Sequence, residues 1–220
     1  MTKLQEHVEK EVEIPFDDFE LAGELIVPAD ACGVVLFAHG SGSSRYSPRN
    51  QFVARALRDH HVGTLLFDLL TDVEEQEDRF TGHLRFDVEL LAERLLGATD
   101  WIHGVEPDSP LGYFGSSTGG GAALVAEAQS EVPIAAIVSR GGRPDLAASA
   151  LPKVKAPTLL IVGEQDTAVI KMNQDAAAQM RCPKELRLIP GATHLFEEPG
   201  TLDQVAKMAA EWFERHFKQA

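Results

Sequence analysis

Short apolar runs of strand length recur along this chain, and segments of helical spacing separate them. The runs are GVVLFAHG (33–40), VGTLLFDL (62–69), LGYFG (111–115), PIAAIVS (133–139), PTLLIVG (157–163) and ELRLIP (185–190). Most are apolar at successive rather than alternate positions, the pattern of strands covered on both faces. Ser47-Pro48 opens the first helical segment, where Phe52, Val53, Ala56 and Leu57 recur at helical spacing. Residues 83–103 read as a long amphipathic helix, with Leu84, Val88, Leu91, Leu95 and Ile102 spaced by three, four or seven. GGGAALVAEAQ, 168–180 and 202–218 read as the remaining helices. Such alternation predicts an α/β fold: a mostly parallel, twisted sheet with helices on both faces and right-handed crossovers. Ahead of it, EVEIPF and FELAGELIVP, parted by Asp17-Asp18, predict an antiparallel hairpin. No repeat or linker interrupts the sequence, so residues 1–220 are expected to form one domain, and 140–156 leaves no room for a large cap.

Composition narrows the partners. The formal net charge of −14 argues against nucleic acid and anionic membranes, which would repel the chain. No stretch approaches a membrane span, and MTKLQEHVEKEVEIPF has neither the apolar core nor the cleavage site of a secretory leader. Cys32 and Cys182 lie far apart without metal-ligand spacing, so a reduced, cytoplasmic protein is expected.

In such folds reactive groups collect after the carboxyl ends of strands. There, Gly115-Ser116-Ser117-Thr118-Gly119 matches G-x-S-x-G between a predicted strand and a predicted helix. The turn must be tight enough to strain the central serine, and only glycine avoids a Cβ clash at the flanking positions. It would lift Ser117 above the sheet, at a helix N-terminus that favours developing negative charge. A nucleotide-binding loop would need a Lys-Ser/Thr ending that SSTGGG lacks. A serine hydroxyl needs a base, and the base an orienting acid. Asp166 in GEQD and His194 in GATHLF each follow a further strand, in the order Ser, Asp, His.

Taken together, FAHGSGSSR, GSSTGG, VGEQD and GATHLF resemble the α/β-hydrolases, and most the compact branch related to dienelactone hydrolase, from about Val34 to His216. The resemblance implies an α/β-hydrolase fold, Ser117, Asp166 and His194 as catalytic residues, and no cofactor or metal. It also implies an oxyanion hole from the backbone N–H groups of Thr118 and of Ser41, with Gly42 the near alternative to Ser41, and a structural His39. Dienelactone hydrolases carry cysteine at the elbow where this chain carries Ser117, which favours a serine esterase acting on small-molecule esters. A thioesterase, a lactone hydrolase or a non-catalytic ligand-binding member of the fold are the rival readings.

Arg45, Arg140 and Arg143 stand in or near loops expected to border the site. Surface ion pairs are one reading of them. The sharper one makes Arg140 and Arg143 binders of an acidic substrate group, since guanidinium grips carboxylate bidentately. The acidic stretch 71–80 lacks calcium-loop spacing and is expected as a solvated loop that could fold over the site.

Overall fold

Each apolar run becomes a strand in the computed structural model, which describes residues 8–220. The reading of the N-terminus as leaderless falls partly on residues 1–7, outside the described residues. β3 (Val34–Ala38), β4 (Gly63–Phe67), β5 (Leu111–Ser116) and β7 (Thr158–Gly163) are buried at every position. β6 (Ile134–Arg140) is nearly so, whereas β8 (Lys184–Ile189) is an edge strand, which explains the charges within ELRLIP. The hairpin of β1 (Val8–Pro15) and β2 (Glu20–Val27) extends the opposite edge. The order is β1-β2-β4-β3-β5-β6-β7-β8, with β1–β2 and β2–β4 antiparallel and the other pairs parallel.

From β3 the chain passes through α1 (Pro48–Asp59) to β4 on one side, then crosses to β5 on the other. The connections thus diverge at β3 and leave a crevice above the carboxyl ends of β3 and β5. α1 and α6 (Thr201–Phe217) cover one face of the sheet; α3 (Val88–Val105), α4 (Thr118–Gln129) and α5 (Thr167–Gln179) cover the other. Ser47 caps α1 by accepting from the Asn50 N–H at 3.4 Å, ahead of Pro48 at the first helical position. Between β6 and β7 only a short 3-10 segment, Pro144–Lys153, intervenes.

Two sequence expectations are corrected. Residues 71–80 are not a solvated loop: α2 spans Asp72–Thr81. Thr71 accepts from the Glu74 N–H, Glu74 accepts from the Thr71 N–H, and Gly82 ends the helix at φ 68°. This capping box and left-handed terminus outweigh the repulsion among its carboxylates. Glu74 also pairs with Arg94 at 2.8 Å, and the Arg94 guanidinium lies 4.0 Å from the Phe19 ring, which fixes α2 against α3 and the hairpin. Nor does one helix run from residue 83. Leu84–Phe86 form a separate 3-10 turn, Asp87 caps the Leu90 N–H at 3.1 Å, and α3 starts at Val88, so Leu84 leaves the helical stripe.

Candidate active site

Ser117 sits between β5 and α4 with φ 51° and ψ −119°, a backbone region that costs a side-chain-bearing residue about 1–3 kcal/mol. Its surroundings explain the flanking glycines. A Cβ on Gly119 would lie 2.1 Å from the Ala38 carbonyl oxygen, and one on Gly115 would lie 2.5 Å from that of Gly119. The strain is held by hydrogen bonds on both sides: the Ser117 N–H donates to Arg140 at 3.2 Å, and its carbonyl accepts from Gly120 and Arg143 at 3.0 Å each. Ser116 Oγ donates to Asn50 at 3.0 Å, tying the preceding residue to α1. Asn50 escaped the sequence reading; its only signal was a polar residue next to the apolar stripe of α1.

Asp166 stands just before α5, after the end of β7, with its side chain making no capping bond to the helix, and His194 lies in the loop after β8. His194 Nδ1 and Asp166 Oδ2 are 2.6 Å apart. Backbone bonds join their two loops, from Glu164 N–H to Ile189 at 3.0 Å and from Gln165 N–H to Ala192 at 2.9 Å. The imidazole packs on Gly141, where a Cβ would lie 3.4 Å from Cε1 and 3.5 Å from Nδ1. Gly141 directly follows the residue whose carbonyl holds the Ser117 N–H. Ser117 and the His194–Asp166 pair therefore lie at the same end of the sheet, linked through Arg140 and Gly141, and no hydrogen bond joins Ser117 Oγ to His194. Such contacts are commonly long before substrate arrives.

On the other side, Gly40–Ser43 forms a turn closed by Ser43 N–H to Gly40 O at 3.1 Å, with Gly42 at φ 68°. The amide of Ser41 stays free of that bond. Thr118 is the first residue of α4, where an N–H has no partner within the helix. His39 is buried; its Nε2 accepts from the Leu69 N–H at 3.0 Å and its Nδ1 faces Gly40 O at 3.0 Å. Burial pushes its pKa down, so a neutral ring ties the turn to the end of β4.

A cavity of about 220 Å³ opens beside this turn, between Ser41 and the α2 residues Glu75, Asp78 and Arg79. It adjoins Ser117 through Gly40, on which a Cβ would lie 3.2 Å from Ser117 Cβ, rather than containing it. Asp78 closes the wall by accepting from the Leu84 N–H at 2.7 Å and pairing with Arg85. Burial draws the Asp78 pKa up, but Arg85 and that N–H outweigh it and hold the carboxyl below its usual value.

The three arginines separate. Arg45 pairs with Asp68 and lies 4.3 Å from the Tyr46 ring. Arg143 is occupied by Asp145, from Nε at 2.8 Å and Nη2 at 2.7 Å, so its fork is not open to a ligand. Arg140 is buried, with Nε and Nη1 unpartnered. Among the described residues no three His, Cys, Asp or Glu side chains converge as metal ligands, and no helix is long and apolar enough to cross a membrane.

A glycine-flanked, strained serine at a helix N-terminus, faced by a histidine–aspartate pair, is the arrangement that goes with one fold class. Residues 31–216 match the family described as "Alpha/beta hydrolase domain", and the chain belongs to that family. It is 57% identical to a dienelactone hydrolase of Anabaena variabilis whose crystal structure has a TM-score of 0.93 and is aligned over 96% of this chain and 98% of that one. The fold also matches Est1E of Butyrivibrio proteoclasticus, with a TM-score of 0.79 at 18% identity, over 94% of this chain and 99% of that one. A curated Mycobacterium tuberculosis protein, provisionally named a phosphoribosyl transferase, is 53% identical over 211 residues, 94% of this chain. The chain spans 46% of that relative's length.

Proposed function

We propose that the protein hydrolyses carboxylic esters of small or flexible acyl groups through an acyl-enzyme on Ser117. Ser117 Oγ attacks the acyl carbonyl as His194 Nε2 takes its proton. Asp166, bound at Nδ1, holds the tautomer that leaves Nε2 free and stabilises the imidazolium. The Thr118 and Ser41 amides hold the oxyanion, each such donor contributing roughly 3 kcal/mol to lowering the barrier. His194 then returns its proton to the departing alkoxide, and the alcohol leaves. Water, deprotonated by the same ring, attacks the acyl carbon and releases the acid.

The observation that carries this reading is the strained backbone of Ser117 at φ 51°, with the His194–Asp166 pair seated on Gly141 beside it. The 57% identity to a dienelactone hydrolase favours lactones as the second reading, since a lactone is a cyclic ester and asks for the same steps. The transferase name belongs to a longer protein, and the residues gathered here suit acyl transfer to water. Unpaired Cys32 and Cys182 support a reducing, cytoplasmic setting. A p-nitrophenyl ester series from acetate to palmitate, beside a lactone and a thioester, tests the proposal. Turnover of the short esters, lost in Ser117→Ala, is expected; turnover that survives Ser117→Ala would reject the mechanism.

A further inference from the structure

Arginines in this protein that are not fully at the surface have acceptors, with one exception. Arg45, Arg49, Arg58, Arg85, Arg94 and Arg143 each donate to a carboxylate or a hydroxyl. Arg140 is 8% exposed and no side-chain nitrogen of it has a partner; Nε and Nη1 are sealed from solvent, while Nη2 is not. Burial pushes its pKa down to about 10, and the like charge of Arg49 adds to the effect.

Its place in the fold gives this state a meaning. Arg140 is the last residue of β6, and the alternating residues Ala136 and Val138 lie in the core layer beneath α1 and α6. Its side chain follows them onto that face, beside Ser116, its partner in the β5 register, which is bound to Asn50 of α1. Arg49, whose field reaches Arg140, is at the second position of α1 and holds Glu197 at 3.2 Å. Glu197 lies three residues beyond His194. The guanidinium therefore lies between the start of α1 and the His194 loop, while its own carbonyl holds the Ser117 N–H. The carboxylate held at this spot, Glu197, is taken up by Arg49, and Arg140 is left without a counter-ion. A buried guanidinium without a partner is destabilising, and such a group is retained where a ligand completes it.

We propose that Arg140 anchors an oxyanion, carboxylate or phosphate, on the substrate whose ester carbonyl sits at Ser117. This inference rests on the hydrolase reading and sharpens it to anionic esters. Arginine suits both anions, because its planar fork donates two parallel hydrogen bonds.

The test compares kcat/KM for mono-p-nitrophenyl succinate, the p-nitrophenyl ester of 3-phosphopropionate and neutral p-nitrophenyl butyrate. The wild type is expected to favour at least one anionic ester over butyrate by tenfold or more, and the preferred one identifies the anion. Arg140→Met should reduce that preference at least tenfold, and Arg140→Lys, a point charge without the fork, by less. An equal loss on charged and neutral esters in both variants would overturn the proposal, as would a wild type without preference. Calorimetric titration of succinate and inorganic phosphate into Ser117→Ala separates the two claims. Should no ester be turned over while an anion binds in an Arg140-dependent way, the hydrolase reading fails and the subsite stands. Should esters be turned over while neither anion binds, the subsite fails alone.

Discussion

The two flanks of Ser117 handle charge in opposite ways. On the α2 flank, Asp78 is paired with Arg85 and Asp68 with Arg45, around a cavity whose wall those pairs hold in shape. On the α1 flank, Arg140 is buried without a partner beside a second arginine. Paired charges close a structure, because removing either partner leaves the other stranded. An unpaired buried charge does the reverse: it weakens the free fold and strengthens whatever complex supplies its counter-ion.

Variants can break or sharpen this contrast, and the largest effect falls between the flanks. Asp166→Asn leaves a side chain of the same shape but removes the charge at His194 Nδ1; kcat for a short ester should fall about 10⁴-fold with little change in KM. On the paired flank, Asp78→Ala should lower stability by about 2 kcal/mol in urea titrations, because it takes the carboxylate from Arg85 Nε and the Leu84 N–H and leaves Arg85 only its bond to the residue 78 carbonyl. Because its folded pKa is depressed, the Asp78 contribution is present above about pH 4, the unfolded value, and is lost as pH falls through the folded one. The wild type should therefore lose more stability than Asp78→Ala on acidification below pH 4, and parallel losses would refute the pairing. On the unpaired flank the sign reverses. Arg140→Met should raise the Tm by about 3 °C or more, since an apolar side chain replaces an uncompensated charge; a fall would mean the guanidinium is structural. Smallest of all, Arg143→Ala should change stability by less than about 0.5 kcal/mol and the preference for charged esters by less than about twofold, because its half-exposed pair with Asp145 is already screened.

What the sequence revealed follows the range of each signal. The central strands and the elbow were legible because their causes are local: continuous apolar runs for burial on both faces, and Gly115 and Gly119 for a turn that no Cβ survives. The joining of Asp166 and His194 was legible by order, as each follows its own strand. α2 was hidden behind its carboxylates, although Thr71-x-x-Glu74 and Gly82 marked both ends. Arg140 and Arg143 look alike in SRGGRPD. They part only when the β6 alternation turns Arg140 inward and Asp145 fills the fork of Arg143. The cavity was beyond reach because its walls, the 40–43 turn and α2, are distant in sequence.

Exposure to a fluorophosphonate, followed by mass mapping of the adduct, measures most directly whether Ser117 is an activated nucleophile. A single adduct on Ser117 is expected, formed at least 100-fold more slowly in His194→Ala. An unmodified Ser117 in folded protein, or equal labelling rates in the two proteins, would contradict it.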